Sequence, residues 1–277
     1  MNALPHFRGR AAPACAIRGH AYIEAPWTAV GTLRDAPPPA GAPALPVRFL
    51  RHCDEQTVVA VRAVLDVLSR VDEPPAAETC GVVAAPCQAG RVVTARSLSQ
   101  LRTGGAVTVS PHIVPQCSLH SVAGAVSVAL GLHGPHLGIG GGPDAVAEGV
   151  FTAASLFQAG ACNACWLLIS DWEQEPALDA AGEPLGDPVC RGLALLLVPE
   201  SAAGGAAARI TLAQPSGLVA PLQADDEPVD LSAFARAIGM CAAGAALASW
   251  GVPCPWPAQI RVEARPAVSV ACRREAA

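Results

Sequence analysis

Few side chains in this 277-residue chain could do covalent or acid–base chemistry. All 18 basic residues are arginine, so there is no lysine for a Schiff base, a phosphate-binding loop or a kinase-type ATP contact. The seven histidines, His6, His20, His52, His112, His120, His133 and His136, all lie in the first half. The 11 cysteines are irregularly spaced, and Cys162-Asn163-Ala164-Cys165 has the C-x-x-C spacing of redox dithiols and zinc half-sites. A zinc site would need a second pair or nearby histidines, and no histidine follows His136. A redox pair would stand at a helix start, whereas Cys165 opens an apolar run. The pair therefore reads as buried and structural, with no metal bound. Asp171 and Glu173, just after that run, read as a solvated turn. His120, at the head of an apolar helix pattern, reads as a hydrogen-bonded core or interface residue.

The segment Gly138-Ile139-Gly140-Gly141-Gly142-Pro143-Asp144 lies between a strand pattern and a helix pattern, where backbone N–H groups often cradle anions. As a dinucleotide fingerprint from Gly138 it fails, because position 143 is proline. The looser form from Gly140 to Ala145 is one that any glycine run satisfies easily. Pro143 and Asp144 read instead as helix N-terminal punctuation, and no nucleotide cofactor is expected. The sequence holds no G-x-S-x-G elbow, no H-E-x-x-H and no EF-hand loop.

The elements that would position these residues follow from periodicity. Ile17–Ile23 reads as a strand, followed by a proline-rich stretch to Pro46. Val58, Val61, Val64, Leu65 and Leu68 recur at helical spacing after Asp54, and Pro74-Pro75 stops that helix. Gly81–Ala85, His136–Ile139, Cys165–Ser170, Gly192–Val198, Arg209–Leu212 and Gln259–Val262 read as strands. Arg96–Leu101, Ser121–Leu130, Asp144–Gln158 and Leu231–Ser249 read as helices. Continuously apolar strands alternating with helices predict an α/β sheet covered on both faces. From Thr103 to Pro143 no residue carries a formal charge, which predicts deep core, a large subunit interface, or both.

Composition narrows the class. With 52% hydrophobic and 15% charged residues the chain has a core, and disorder is excluded. A net charge of −5 without a basic block argues against nucleic acid as a partner. The arginine-bearing N-terminus has no apolar signal core, and unpaired thiols fit a reducing cytoplasm. The apolar run Ala237–Ile260 is broken by Pro253, Pro255 and Pro257, so no membrane span is expected.

Ser110-Pro111-His112-Ile113-Val114-Pro115, continuing through Ser118–Gly124 to Gly131-Leu132-His133-Gly134-Pro135, resembles a β-ketoacyl synthase of the thiolase-like superfamily. That family writes S-P-x-x-V-P, an amphipathic helix and G-L-x-G-P, followed by a strand, a nucleophile turn and a long helix. The likeness covers roughly residues 50–215. It implies a layered α/β/α thiolase-like fold with the N-terminal half complete (1–215) and the C-terminal half cut down to an abbreviated segment (216–277) on the same core.

The departures from the family are as informative. Counting from Gly134-Pro135, Pro143 stands where the family carries its acyl-accepting cysteine, and proline cannot form a thioester. The histidines that the family draws from its C-terminal half are missing. The resemblance thus implies a non-catalytic subunit, like the chain-length factors of type II polyketide and aryl polyene pathways, without cofactor. It would pair with an active ketosynthase and meet the acyl carrier protein only through that partner. Ile113, Gln116, Leu119 and His120 would reach the partner's acyl tunnel. The alternative is a free-standing acyl-thioester hydrolase or acyltransferase using Cys117 or Cys162 with His120.

Overall fold

A computed structural model describes residues 13–142, 144–213, 230–243, 250–253 and 259–265. Pro143 and the expected helix beyond residue 243 lie outside the described residues. Eight strands form one mixed sheet: β1 (Ala14–Pro26), β2 (Cys80–Pro86), β3 (His136–Gly138), β4 (Ala164–Trp172), β5 (Val189–Pro199), β6 (Ala208–Ala213), β7 (Trp250–Pro253) and β8 (Gln259–Ala264). Their order is β3-β2-β4-β5-β1-β6-β8-β7. The β3-β2-β4 block is parallel, and every other neighbouring pair is antiparallel.

Alternation in the central strands divides the core in two. Trp166 and Leu168 of β4, with Ala194 and Leu196 of β5, face one layer. Cys165, Leu167 and Ile169, with Leu193, Leu195 and Leu197, face the other. The first layer is covered by α1 (Trp27–Asp35), α2 (Glu55–Leu68) and α5 (Ser121–Leu130), beside which lie α3 (Arg91–Gly104) and α4 (Ile113–Cys117). The second is covered by α6 (Ala145–Gln158) and α7 (Leu231–Ala242). This is the α/β/α layering that unbroken apolar strands demand. The antiparallel β6–β8 pair carries the sheet across the 215/216 boundary. Among the described residues no helix is long and apolar enough to cross a membrane.

Several elements differ from the sequence expectation. α2 ends at Leu68, before Pro74, where the Ser69 hydroxyl bonds the Asp66 carbonyl at 2.8 Å. α3 starts five residues earlier than its apolar pattern, because Gly90 in the left-handed region (φ 67°) turns the chain directly into it. The short helices α1 and α4 carry too few periodic residues to be read from sequence.

Two glycines set how closely the uncharged segment approaches the sheet. A Cβ at Gly134 would collide with the Cys80 carbonyl, and one at Gly138 with the Leu119 carbonyl. Gly138→Ala therefore forces β3 away from the α4–α5 turn, and its expected cost is about 1–3 kcal/mol in urea unfolding.

The N-terminus of α2 is unusually polar for its depth. The Asp54 side chain accepts from the Thr57 N–H at 3.0 Å and caps the helix. Beside it, burial and then the Asp54 charge push the Glu55 carboxyl up to about 7, with Arg34 3.9 Å away opposing them. A carboxyl raised in the native state stabilises below its unfolded value of 4.5, and that stability is lost as pH rises to about 7. Glu55→Gln should match the parent at pH 4 and be more stable at pH 8 by up to about 3 kcal/mol, measured by denaturant unfolding.

Candidate functional site

The parallel strands β2 and β4 end at the floor of a cavity of about 1270 Å³. Cys87 and Gln88, just beyond β2, form one wall, and Ser170 and Asp171 of β4 form another. Gly141, Gly142 and the first turn of α6 supply a third, and Tyr22, Glu24, Arg191, Asp230 and Ser232 close the far side.

The β2–α3 turn is fixed from below by α2. Gln56 donates to the Cys87 carbonyl at 2.6 Å and accepts from the Ser170 hydroxyl at 3.0 Å. Asp54 accepts from the Gly90 N–H at 3.3 Å, and the Cys87 N–H bonds the Ser170 carbonyl at 2.7 Å. The Gln88 N–H in turn reaches the Gly141 carbonyl at 3.3 Å. A buried helix start thereby sets the position of the glycine turn that precedes α6.

Arg191 dominates the electrostatics of the cavity. It is 7% exposed and grips Asp171 with two hydrogen bonds of 2.8 and 2.7 Å. Its remaining nitrogen donates to Asp230 at 3.0 Å and to Ser232 at 3.1 Å, tying the N-cap of α7 to the sheet. The Tyr22 hydroxyl bonds Glu24 at 2.6 Å and Ser232 at 2.9 Å, completing a continuous polar chain. Asp171 is thus no solvated turn: β4 runs on to Trp172 and its carboxylate is held by a buried guanidinium. Burial raises the Asp171 carboxyl, opposed by the Arg191 hydrogen bonds.

Among the described residues the cavity's thiol is Cys87. Burial, then the carboxylates of Asp171 and Glu175, push it up, away from the reactive thiolate. Among the described residues no histidine lines the cavity. Among the described residues no group of three histidine, cysteine or acidic side chains is placed to hold a metal ion.

The four residues expected at an acyl tunnel are dispersed. Leu119 lies against the Gly140–Gly142 turn, its Cδ2 3.0 Å from where a Cβ on Gly141 would stand. Gln116 and His120 line a second, smaller pocket of about 330 Å³ with largely apolar walls, including Phe49, Pro115 and Val128. The Gln116 amide donates to the His52 carbonyl. Ile113 opens α4, half-buried, and lines neither space.

The thiols and the imidazole of the alternative reading are each engaged with other groups. The Cys117 thiol is bonded by the Thr94 hydroxyl at 3.1 Å, whereas the His120 ring lies 5.1 Å from that of His136. Cys162 and Cys165 are buried, and their mutual hydrogen bond and burial hold the Cys165 thiol well above its ordinary range.

No protein-family model matches the sequence, and no curated protein does. Solved structures do match. A ketosynthase (ApeO) in complex with its chain length factor (ApeC) from Xenorhabdus doucetiae superposes with a TM-score of 0.55 at 17% identity, over 92% of this chain and 100% of that one. The ishigamide ketosynthase/chain length factor gives 0.50 at 18% identity, over 83% and 74% of the two chains. A type II acyl-carrier protein in complex with its ketosynthase bound to the hexaketide (AntDE:AntF) gives 0.52 at 14%, over 74% and 70%. The chain has the ketosynthase fold. In this ketosynthase-like arrangement the large cavity opens where the strand–turn–helix unit of β3, the glycine turn and α6 meets the ends of β2 and β4.

Sequence reading missed the Arg191 network. Its signals were a lone charge interrupting the apolar run of β5 and the single tyrosine of the chain. Arg191→Met leaves the Asp171 carboxylate without its partner and should lower stability by about 2–3 kcal/mol. Asp230→Ala, which removes an exposed ion pair and a helix cap, should cost about 1 kcal/mol. Paired urea unfolding curves would check both.

Proposed function

We propose that this chain is a non-catalytic ketosynthase-like subunit, of the chain-length-factor kind, that pairs with an active β-ketoacyl synthase and shapes its acyl tunnel in polyketide, aryl polyene or fatty-acid-like biosynthesis. The observation that carries this reading is the turn before α6. Its glycines open onto the large cavity, and the sequence places Pro143, which has no nucleophile, at the position that bears the acyl-accepting cysteine in the resembling family. Among the described residues Cys87 is the thiol that lines the cavity, burial and then the Asp171 and Glu175 carboxylates hold it as the thiol, and no imidazole lines the cavity beside it.

A partner is supported by the surface of the charge-free segment. Val107 is 94% exposed, Val114 74% and Val128 70%, and among the described residues β3 is an edge strand of the sheet. Apolar surface of this kind, bare of charge, is what obligate interfaces bury, at roughly 25 cal/mol per Å². In this reading residues 1–215 form the ketosynthase-like domain and 216–277 an abbreviated segment on the same core. Ile113, Gln116, Leu119 and His120 project toward the partner's tunnel in the cytoplasm, and the carrier protein delivers its cargo to the partner.

Incubation with an acyl-carrier thioester, read by intact-protein mass, should leave this chain unmodified and load the ketosynthase of a co-expressed pair. An acyl adduct on this chain alone, abolished by Cys117→Ala, Cys162→Ala or Cys87→Ala, would overturn the proposal in favour of an acyl-transferring enzyme. In the working pair, Leu119→Trp should shorten the product and Leu119→Ala leave it equal or longer, by mass spectrometry of the released chains.

A further inference from the structure

We propose that Cys162 and Cys165 form a redox-active dithiol, oxidised by hydroperoxides to an intramolecular disulfide and restored by dithiol reductants. The inference is independent of the partner reading and concerns the end of β4 opposite the cavity. A glycine lets the two sulfurs meet. In the parallel register of β2 and β4, Gly81 stands beside Cys165. A Cβ at Gly81 would lie 3.5 Å from the Cys162 Sγ, so that sulfur sits in the space a side chain would take next to Cys165. Both thiols belong to the layer covered by α6 and α7, and they are hydrogen-bonded to each other. Cys162 lies on the turn between α6 and β4, which is pinned on both sides of it. The Ala161 N–H bonds the Leu156 carbonyl at 2.9 Å, and the Asn163 N–H bonds the Thr79 carbonyl at 2.9 Å. The pair is thereby held within one short, fixed span, as the narrow geometry of a disulfide demands.

Burial fixes the order of events. Cys162 is 4% exposed, under a turn whose Ala161 and Asn163 reach solvent, and Cys165 is fully buried behind it. A peroxide, little larger than water, therefore meets Cys162 first. The hydrogen bond from Cys165 draws the Cys162 thiol down toward the thiolate, with burial opposing it and the Gly81 backbone adding to it. Cys165, held well above its ordinary range by the same bond and by burial, keeps its proton for the second step. The neighbouring thiols compete poorly, because burial pushes Cys15 and Cys80 up to about 12. In the first step the Cys162 thiolate attacks one peroxide oxygen and the O–O bond breaks. Cys162 becomes a sulfenic acid, and the departing hydroxide takes up the proton that Cys162 released, leaving as water. In the second step the Cys165 sulfur attacks the Cys162 sulfur, the S–O bond breaks, and the hydroxyl leaves as water with the Cys165 proton. The two thiols lose two electrons between them, and hydrogen peroxide is reduced to two waters.

The test uses the full purified chain, reduced, freed of reductant and treated with equimolar hydrogen peroxide. Remaining thiols are capped with a light alkylating agent, disulfides are reduced, and the thiols so released are capped with its heavy form. Cleavage after Phe157 and Trp166 isolates both sulfurs in one peptide. That peptide should carry two heavy groups about 10-fold more often than any other cysteine peptide carries one. Before reduction the intact chain should have lost about 2 Da, and dithiothreitol should restore its mass. Cys165→Ala should stop the reaction at the sulfenic acid of Cys162, trapped as a dimedone adduct, and Cys162→Ala should leave Cys165 light. Circular dichroism establishes that each variant is folded. Where a variant fails to fold, the labelling of the parent chain decides by itself. A parent chain whose pair stays light under excess peroxide overturns the inference. So does a parent in which Cys162 or Cys165 is bonded to some other cysteine, or a folded Cys162→Ala variant in which Cys165 is oxidised as readily as before. None of these outcomes bears on the partner reading, which the acyl-loading experiment tests separately.

Discussion

Burial of β2, β4 and β5 on both faces is the constraint on which the rest of the structure depends. Strands covered by helices above and below have no solvated side on which to place polar groups, so polarity is confined to their ends. Ser170, Asp171 and Arg191 stand at those ends, and the cavity opens there. The same confinement explains why Arg191 must be gripped by two carboxylates. A guanidinium this deep is tolerable only when its donors are satisfied.

The polar chain from Asp171 through Arg191 and Ser232 to Tyr22 and Glu24 joins β4, β5, α7 and β1. It builds one wall of the cavity from parts far apart in sequence and anchors α7 by its N-cap. The opposite wall depends on backbone geometry. Asp54 and Gln56 fix the β2–α3 turn, that turn holds Gly141, and Leu119 lies over the glycines. Among the described residues no imidazole lines the cavity beside Cys87. Burial, and after it the Asp171 and Glu175 carboxylates, raise the Cys87 thiol.

Around the α4–α5 turn the chemistry reverses. Exposed apolar side chains and imidazoles replace the ion-paired surface found on α3, where Arg91 and Arg96 are matched by Glu175 and Glu183 of the β4–β5 connection. A surface without charges gains little from water, and the proposed function gives it a cover.

The sequence by itself determined the layered α/β class, the α2, α5 and α6 helices, the central strands and the absence of a nucleophile at position 143. Each of these is written in local periodicity or in residue identity. Helix α5 even keeps its sequence-derived bounds, because Gly131 ends it in the left-handed region (φ 61°). Only the tertiary structure decided the site. Pairing of Asp171 with Arg191, the bond from Thr94 to Cys117, the approach of Leu119 to the glycine turn and stacking of His52 on His112 all join residues of different elements. No spacing along the chain encodes those distances; they are set by strand register and by how closely backbones meet where a glycine allows it.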